Sequence, residues 1–471
     1  MRLKILTTAA LTAFAAFSLQ AKITLPPVIG DNMVLQQQTD AALWGKAEPG
    51  SKVTIKASWA KKPVSVTAGT DGKWKTSIAT PEAGGPYTIE ISDGEAIVLN
   101  DVLIGEVWFC SGQSNMEMPV KGFDNQPVEG SVDVILGAKA ERPIRMCTVQ
   151  KNTSCTPLEE CTAQWQKNTP ENVAEASATA YFFADCLQKI LDVPVGILIS
   201  DWGGTPIESW MDKETMQRFP EFDLAFLDTP GADYNAFMPC TLYNAMVSPV
   251  IPYTLKGFLW YQGEANRGRA DQYCRLMPAY VDMMREKWGN DNMPFYYVQI
   301  APFNYAGPDD VLGAMLREAQ MKCLETIPHS GMAVTLDIGD YDCIHPAKKA
   351  EVGRRLAYMA LVHDYGYAGI NPDAPIYKSM EINGSRAVLT FNVGFMGLAP
   401  LGRTLTGFEV AGADKVFHPA NARIVGYDRV EVYCDTVPEP AAVRYCFKDA
   451  VQPSLYNGSG IPASSFRTDS W

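Results

Sequence analysis

A serine and a histidine that could act together in nucleophilic catalysis stand far apart in the chain. Ser114 lies in the segment Gly-Gln-Ser-Asn (112–115), directly after an apolar run that we predict to be a buried strand. A serine at such a turn presents its hydroxyl to a cleft, and its own N–H can stabilise an oxyanion. The hydroxyl needs a base and the base needs a carboxylate, and the loop containing Asp342 and His345 can supply both. The pattern predicts a Ser114–His345–Asp342 triad.

Elimination among the four histidines of the chain favours His345 as the base. His329 lies in a loop before a predicted strand, and His418 lies in the C-terminal part of the chain, far from any turn of catalytic type. His363 shares a predicted helical face with apolar residues, so we expect a packed or helix-end side chain. His345 instead stands in a loop before a helix that Pro346 would open.

Two further segments offer hydrogen-bond donors and a second carboxylate. Gly203 belongs to Asp-Trp-Gly-Gly-Thr (201–205), where the missing Cβ lets an N–H approach developing negative charge. The segment Trp-Tyr-Gln-Gly-Glu-Ala-Asn (260–266) contains the amide of Gln262 and the carboxylate of Glu264. Glu264 is therefore an alternative triad acid, or a brace of its own loop. We favour Asp342, because a residue three positions before the histidine reaches it within one loop.

The central part of the chain, residues 101–368, alternates apolar strand candidates with helix patterns. Strands without apolar and polar alternation are covered on both faces, so we expect an α/β domain with a parallel sheet flanked by helices. Ligands of such sheets bind beyond the carboxyl ends of the strands, which is where the polar segments stand. The main strand candidates are 107–110, 195–199, 257–261, 295–300 and 332–336, and the helix candidates include 180–191 and 311–324.

Short strand-like runs separated by turn residues occupy both flanks of this domain. Residues 22–100 predict a small β-sandwich, and residues 369–471 predict a β-rich region. A chain of 471 residues exceeds what one compact core usually organises, which agrees with several folding units.

The first 21 residues have the features of a secretory signal peptide. Two basic residues precede an apolar run, residues 5–19, and the small residue Ala21 follows it at the expected cleavage site. We expect cleavage near Lys22 and a periplasmic or secreted protein. No later stretch is apolar enough to span a bilayer, so we expect no membrane span in the mature chain.

Charge and cysteine usage narrow the classes of ligand. The formal net charge of −13 argues against nucleic acid as a partner, because there is no basic excess to neutralise phosphates. The eleven cysteines include no C-x-x-C pair, so we predict no metal site. They are interpreted as buried free thiols, with a cross-strand Cys434–Cys446 disulfide as the alternative.

The four segments, in this order, resemble the block pattern of SGNH hydrolases, and specifically the sialate O-acetylesterase family. Gly-Gln-Ser-Asn-Met, Gly-Gly-Thr, Trp-Tyr-Gln-Gly-Glu-Ala-Asn and Asp-x-x-His-Pro are similar to signatures of that family. The resemblance extends to both ends of the mature chain, through segments 25–27, 31–36 and 462–469. It implies an SGNH-type, flavodoxin-like α/β sheet.

Carried onto this chain, the resemblance implies Ser114 as nucleophile, His345 as base and Asp342 as the orienting acid. The oxyanion donors would be the N–H groups of Ser114 and Gly203 and the amide of Gln262. The third block departs from the wider SGNH pattern, which usually has Gly-x-Asn-Asp there, so Asn266 is the alternative donor to Gln262. No cofactor is implied.

The implied substrate is an O-acetylated carbohydrate, first of all O-acetylated sialic acid. Acetylxylan and other plant polysaccharides are the alternative substrates, since their esterases have similar blocks. An alternative of another class is a catalytically inactive carbohydrate-binding protein with sugar-stacking aromatic residues. An intact Ser114, Asp342 and His345 argue against that alternative.

Overall fold

The computed structural model describes residues 23–402 and 404–471. The predicted signal peptide, residues 1–21, lies outside the described residues. Among those that are described, no helix has the length and apolarity needed to cross a membrane.

A long strand, β7 (Ala96–Gly112), connects the N-terminal sheet to the central one. Its first half pairs antiparallel with β6 (Gly84–Ser92), and its second half lies at the centre of the parallel sheet. The strand runs across the predicted boundary at residue 100, so the two regions share one hydrogen-bonded framework. The N-terminal strands are β1 (Val34–Gln36), β2 (Asp40–Lys46), β3 (Lys52–Ala57), β4 (Val64–Thr67), β5 (Lys73–Ala79), β6 (Gly84–Ser92) and β7 (Ala96–Gly112).

The central sheet has the order β13-β12-β11-β7-β10-β8-β9. Its strands are parallel except β9, which pairs antiparallel with β8. All five predicted central strands are present, although β13 begins two residues earlier than predicted, and β8 and β9 were not predicted. The strands after β7 are β8 (Ile144–Thr148), β9 (Trp165–Lys167), β10 (Val195–Asp201), β11 (Gly257–Tyr261), β12 (Phe295–Val298) and β13 (Ser330–Ala333).

Helices cover both faces of this sheet. Because successive side chains of a strand point to opposite faces, alternate residues of β7 pack into two different cores. Trp108 and Cys110 belong to the core that contains α4 (Ala178–Leu191) and α8 (Lys349–His363). Val107 and Phe109 belong to the core that contains α6 (Ala270–Trp288) and α7 (Leu312–Thr326). Ser177 caps α4 by accepting a hydrogen bond from Ala180 N–H. The helices are α1 (Ser114–Glu117), α2 (Ser131–Leu136), α3 (Pro170–Glu175), α4 (Ala178–Leu191), α5 (Lys213–Met216), α6 (Ala270–Trp288), α7 (Leu312–Thr326) and α8 (Lys349–His363).

The C-terminal region is built from short antiparallel strands, in the orders β14-β15-β20-β19, β18-β17-β21-β23 and β16-β22. The predicted α/β fold with β-rich flanks is therefore confirmed. These strands are β14 (Ile376–Asn383), β15 (Arg386–Asn392), β16 (Leu398–Ala399), β17 (Phe408–Ala411), β18 (Phe417–Pro419), β19 (Asn421–Ile424), β20 (Arg429–Tyr433), β21 (Ala442–Tyr445), β22 (Tyr456–Asn457) and β23 (Phe466–Arg467).

The eleven cysteines are free thiols, so the alternative Cys434–Cys446 disulfide is not formed. Cys446 is buried and its Sγ lies 3.6 Å from the carbonyl oxygen of Gln452, whereas Cys434 is partly exposed and contacts Thr436. The two thiols thus have separate partners.

A buried arginine on α7 attaches the C-terminal region to the α/β domain. Arg317 is fully buried, and its guanidinium donates to Ser465 Oγ and to the carbonyl oxygens of Asp449 and Lys448. Each of these acceptors belongs to the C-terminal region. The hydrogen bonds satisfy carbonyl groups that lie away from water.

We expect Arg317→Met to lower the free energy of unfolding by about 3 kcal/mol, because the acceptors stay buried without their donor. The matched control is Lys322→Met on the same helix, whose side chain is 54% exposed and pairs with Glu318. That change should cost under about 0.5 kcal/mol. Equal urea midpoints for the two variants would contradict the role given to Arg317.

Candidate active site

The turn that carries Ser114 is held by a close approach between two strands. Gly112 ends β7 with φ of +150°, and a Cβ atom at this position would overlap the carbonyl oxygen of Tyr261 at the end of β11. The N–H of Gln113 donates to the same carbonyl oxygen at 3.0 Å. Ser114 then opens α1, half-buried at the carboxyl edge of the sheet.

His345 contacts the serine from the loop between β13 and α8. Its Nε2 lies 2.8 Å from Ser114 Oγ, and its Nδ1 lies 2.6 Å from Oε1 of Gln126. Because an amide oxygen only accepts, the Nδ1 atom carries the proton and Nε2 is free to accept from the serine hydroxyl. The ring of Phe123 packs edge-on against the imidazole at 5.3 Å. The structure thus brings two of the three predicted triad residues together.

Asp342 does not make the contact that the sequence predicted for it. Gln126 occupies the acceptor position at Nδ1, held there by a turn in which its backbone exchanges two hydrogen bonds with Phe123. Asp342 is exposed, and its backbone N–H is bonded to Asp340 Oδ1 at 2.9 Å. The loop conformation therefore presents the Asp342 carboxylate to solvent. Sequence spacing alone had suggested the opposite.

Burial and a nearby cation weaken His345 as a base. Burial first, and the charge of Lys349 second, lower the pKa of His345 to about 4, while the Glu117 carboxylate acts in the opposite direction. A neutral amide at Nδ1 cannot stabilise the imidazolium as a carboxylate would. The low pKa keeps the imidazole neutral, in its base form, over most of the acidic range.

A buried polar network ties three predicted segments together. Asn115 Nδ2 donates to Glu264 Oε1 at 2.7 Å and to the carbonyl oxygen of Ile344 at 3.1 Å. Lys349 Nζ donates to Asn115 Oδ1 at 2.6 Å. Burial raises the pKa of Glu264 and lowers the pKa of Lys349 to about 7. Glu264 therefore braces the Asn115 side chain and does not contact the imidazole of His345, which argues against it as the triad acid.

The N–H of Gly203 points to an anionic oxygen. It donates to Oε2 of Glu117 at 2.5 Å, and the other carboxylate oxygen of Glu117 accepts from Lys151 Nζ at 2.7 Å. A Cβ atom at Gly203 would lie 3.1 Å from that Glu117 oxygen and 3.3 Å from Cβ of Ser114. The position beside the serine is thus one where negatively charged oxygen binds.

Gln262 is not available as the third oxyanion donor. Its fully buried Nε2 donates to Asn266 Oδ1 at 2.7 Å and to the carbonyl oxygen of Thr205 at 3.2 Å. Asn266 Nδ2 in turn donates to Glu208 Oε2 at 3.0 Å. Both amides of this segment are engaged in an internal network, so the prediction for Gln262 and its alternative Asn266 requires a correction. Their hydrogen bonds position the segment between Thr205 and Glu208.

Several residues of the site were missed by sequence reasoning. Gln126 and Lys151 lie in irregular segments without a motif, so nothing in the sequence indicated their contacts. Asn115 and Glu117 follow the serine within three residues, on the one-turn helix that it begins. This proximity in sequence was the signal that could have placed them in the site. Lys349 stands four residues after His345 and begins α8, and this short separation was the available signal. Among the described residues, no group of three or more His, Cys, Asp or Glu side chains could hold a metal ion.

A serine hydroxyl bound to an imidazole beside an anion-binding N–H, at the carboxyl edge of a parallel sheet, is the arrangement of a serine-type ester hydrolase. A family model described as carbohydrate esterase, sialic acid-specific acetylesterase, matches residues 104–361, more than half of the chain. The chain belongs to this carbohydrate esterase family, and it is a carboxylic ester hydrolase. The resemblance predicted from the sequence is confirmed.

Similar proteins extend beyond the matched domain. The human sialate O-acetylesterase is 29% identical over 400 residues, which cover 77% of this chain and 75% of that protein. The mouse protein of the same name is 27% identical over 418 residues and is covered to 77%. A carbohydrate acetylesterase from Xanthomonas citri has a crystal structure that superposes with a TM-score of 0.87 at 36% identity, covering 96% of this chain and 100% of that chain.

The pH dependence of kcat/KM tests which group contacts Nδ1. This parameter follows the free enzyme, whose His345 must be neutral to act as a base. Since the pKa of His345 is lowered to about 4, activity should be retained as pH falls from 7 and be lost only as pH passes through about 4. An ordinary histidine would lose it near pH 6.5.

Asp342→Asn should leave this acidic limb in place, whereas Gln126→Leu should lower kcat by about tenfold or more by releasing the Nδ1 hydrogen. Both variants are compared with the wild type by acetate release between pH 3.5 and 8. An acidic limb near pH 6.5 that moves in Asp342→Asn would return the orienting role to Asp342.

Proposed function

We propose that the protein hydrolyses O-acetyl esters of sialic acid, with Ser114 as the nucleophile and His345 as its base. The observation that carries this proposal is the 2.8 Å contact between Ser114 Oγ and His345 Nε2. It supplies the proton acceptor without which a serine hydroxyl is a weak nucleophile.

In the proposed reaction, Ser114 Oγ attacks the acetyl carbonyl carbon while its proton passes to His345 Nε2. The tetrahedral intermediate collapses to an acetyl-enzyme, and the protonated imidazole gives the proton to the departing sugar oxygen. Water then attacks the acetyl group with His345 again acting as base, which releases acetate. These steps need no cofactor.

Backbone groups are the proposed oxyanion donors. The N–H of Gly203 already binds a carboxylate oxygen beside Ser114. Ser114 is the first residue of α1, and the first N–H groups of a helix have no partner within it, so the N–H of Ser114 is the second proposed donor. Because these dipoles are fixed by the sheet and by the turn at Gly112, they need little rearrangement as charge develops.

Aromatic rings around the nucleophile favour a sugar substrate. Phe237 is 55% exposed and lies 3.4 Å from the point where Gly204 would carry a Cβ atom. The half-buried ring of Trp202 and the ring of Phe123 lie next to Gly203 and His345. Flat apolar surfaces beside polar groups suit the faces of sugar rings. The relatives named sialate O-acetylesterase make sialic acid the first substrate, and export by residues 1–21 would place the protein outside the cytoplasm.

Ser114→Ala should abolish covalent catalysis and lower kcat by several powers of ten, because the acetyl-enzyme cannot form. The matched control is Ser209→Ala, a buried serine on another segment. Acetate release and a serine-reactive phosphonate, mapped by peptide mass, provide the two measurements. Phosphonate on a serine other than Ser114, or near-normal turnover by Ser114→Ala, would refute the assignment, and a binding protein would release no acetate in either form.

A panel of acetylated sugars tests the substrate class. We expect acetate release from O-acetylated sialic acid with a kcat/KM about tenfold or more above that for acetylated xylan oligosaccharides, because differential binding of the sugar sets specificity. Thin-layer or mass analysis of the deacetylated products identifies the leaving sugar. Higher kcat/KM for acetylated xylan would establish the plant-polysaccharide alternative.

A further inference from the structure

The oxyanion position of the site is filled by a side chain of the protein itself. Glu117 Oε2 accepts from the N–H of Gly203, the donor that the proposed mechanism assigns to the ester oxyanion. One N–H cannot serve the carboxylate and the oxyanion at the same time, and two negative oxygens at this position would repel each other. Glu117 must therefore leave before Ser114 can form the tetrahedral intermediate.

The pair that holds Glu117 in place can be opened from solvent. The side chains of Glu117 and Lys151 are 23% and 41% exposed, and their contact is a single ion pair at 2.7 Å. Ion pairs of this exposure are weak because water competes for both charges. Lys151 Nζ also lies 5.5 Å from the ring centre of Trp202, so the cation stands above an aromatic surface at the mouth of the site.

An anionic substrate has a direct way to displace Glu117. A sugar carboxylate that binds Lys151 replaces the Glu117 carboxylate on the ammonium group, and the sugar ring can lie on Trp202. The Glu117 side chain, which is part of a one-turn helix next to the nucleophile, then loses its cation and can rotate away from Gly203.

We propose that Glu117 and Lys151 form a gate on the oxyanion position, and that the carboxylate of an acidic sugar opens this gate by taking Lys151 from Glu117. The proposal rests on the proposed function, because sialic acids carry the required carboxylate. A neutral ester must bind to the small fraction of molecules in which the gate is open, which raises its apparent KM by the inverse of that fraction.

A matched pair of substrates tests the gate: an O-acetylated sialic acid and the methyl ester of the same sugar, which lacks the negative charge. The wild type should show a KM for the acid about tenfold or more below that for the methyl ester, with similar kcat values. Acetate release, which is independent of the methyl ester group, is the measurement for both.

Glu117→Ala removes the occupant and should lower the KM for the methyl ester with kcat unchanged or raised. Lys151→Ala should raise the KM for the acid and remove most of the preference between the two substrates. The matched control is Lys121→Ala, which breaks another exposed ion pair, Lys121 with Glu175 at 2.7 Å, that involves neither Glu117 nor Gly203. It should leave both KM values unchanged.

The proposal is overturned if Glu117→Ala loses kcat on both substrates while remaining folded, since Glu117 would then be needed in the reaction. It is also overturned if Lys151→Ala retains the full preference for the acid. Failure of the proposed function looks different: the wild type would release acetate from xylan oligosaccharides and from neither sialic acid derivative. Glu117→Ala assayed with 4-nitrophenyl acetate then decides the gate, since an unchanged KM for this neutral ester overturns it and a lowered KM supports it.

Discussion

The active site depends on the close approach of Gly112 to the carbonyl group of Tyr261. Two parallel strands meet there without a side chain between them, so the turn after β7 is fixed to the end of β11. The Gln113 N–H uses the same carbonyl oxygen, which leaves the chain one direction in which to continue. Ser114 therefore emerges at a defined height above the sheet, within reach of the β10 turn and the His345 loop. Any larger residue at Gly112 would separate these segments.

Two charged side chains, Lys349 and Glu264, are buried inside the protein next to this turn. Lys349, Asn115 and Glu264 connect α8, the turn that carries Ser114 and the segment after β11 by hydrogen bonds inside the protein. The same ammonium that stabilises this connection also disfavours a second positive charge on His345. Lys349 thus contributes to the bracing and, after burial, to the low pKa of His345. A neutral Gln126 at Nδ1 fits this balance, because it fixes the tautomer without adding negative charge.

The sequence predicted the parts of this site that follow from local pattern. Strand ends, the serine turn and the histidine loop are marked by apolar runs and turn residues, and the carboxyl edge of a parallel sheet brings them together. The partner of Nδ1 was not predictable in this way, because Gln126 and His345 are 219 positions apart and meet through an irregular turn. The Gln262 amide was misassigned for a related reason. Its side-chain amide is a suitable hydrogen-bond donor to an oxyanion, but it donates to Asn266 Oδ1 and to the carbonyl oxygen of Thr205 instead.

The continuity of β7 also has a consequence for the order in which the chain can assemble. During synthesis, the first half of this strand has its antiparallel partner β6 available at once. The second half is a buried apolar segment whose neighbours β10 and β11 begin only at Val195 and Gly257. Until those residues have been synthesised, the nascent N-terminal region (residues 23–112) exposes an apolar strand segment without its partners β10 and β11. Exposed, unpaired apolar strands are prone to aggregation. We therefore expect this region to need protection by a chaperone during synthesis and not to fold as an independent domain.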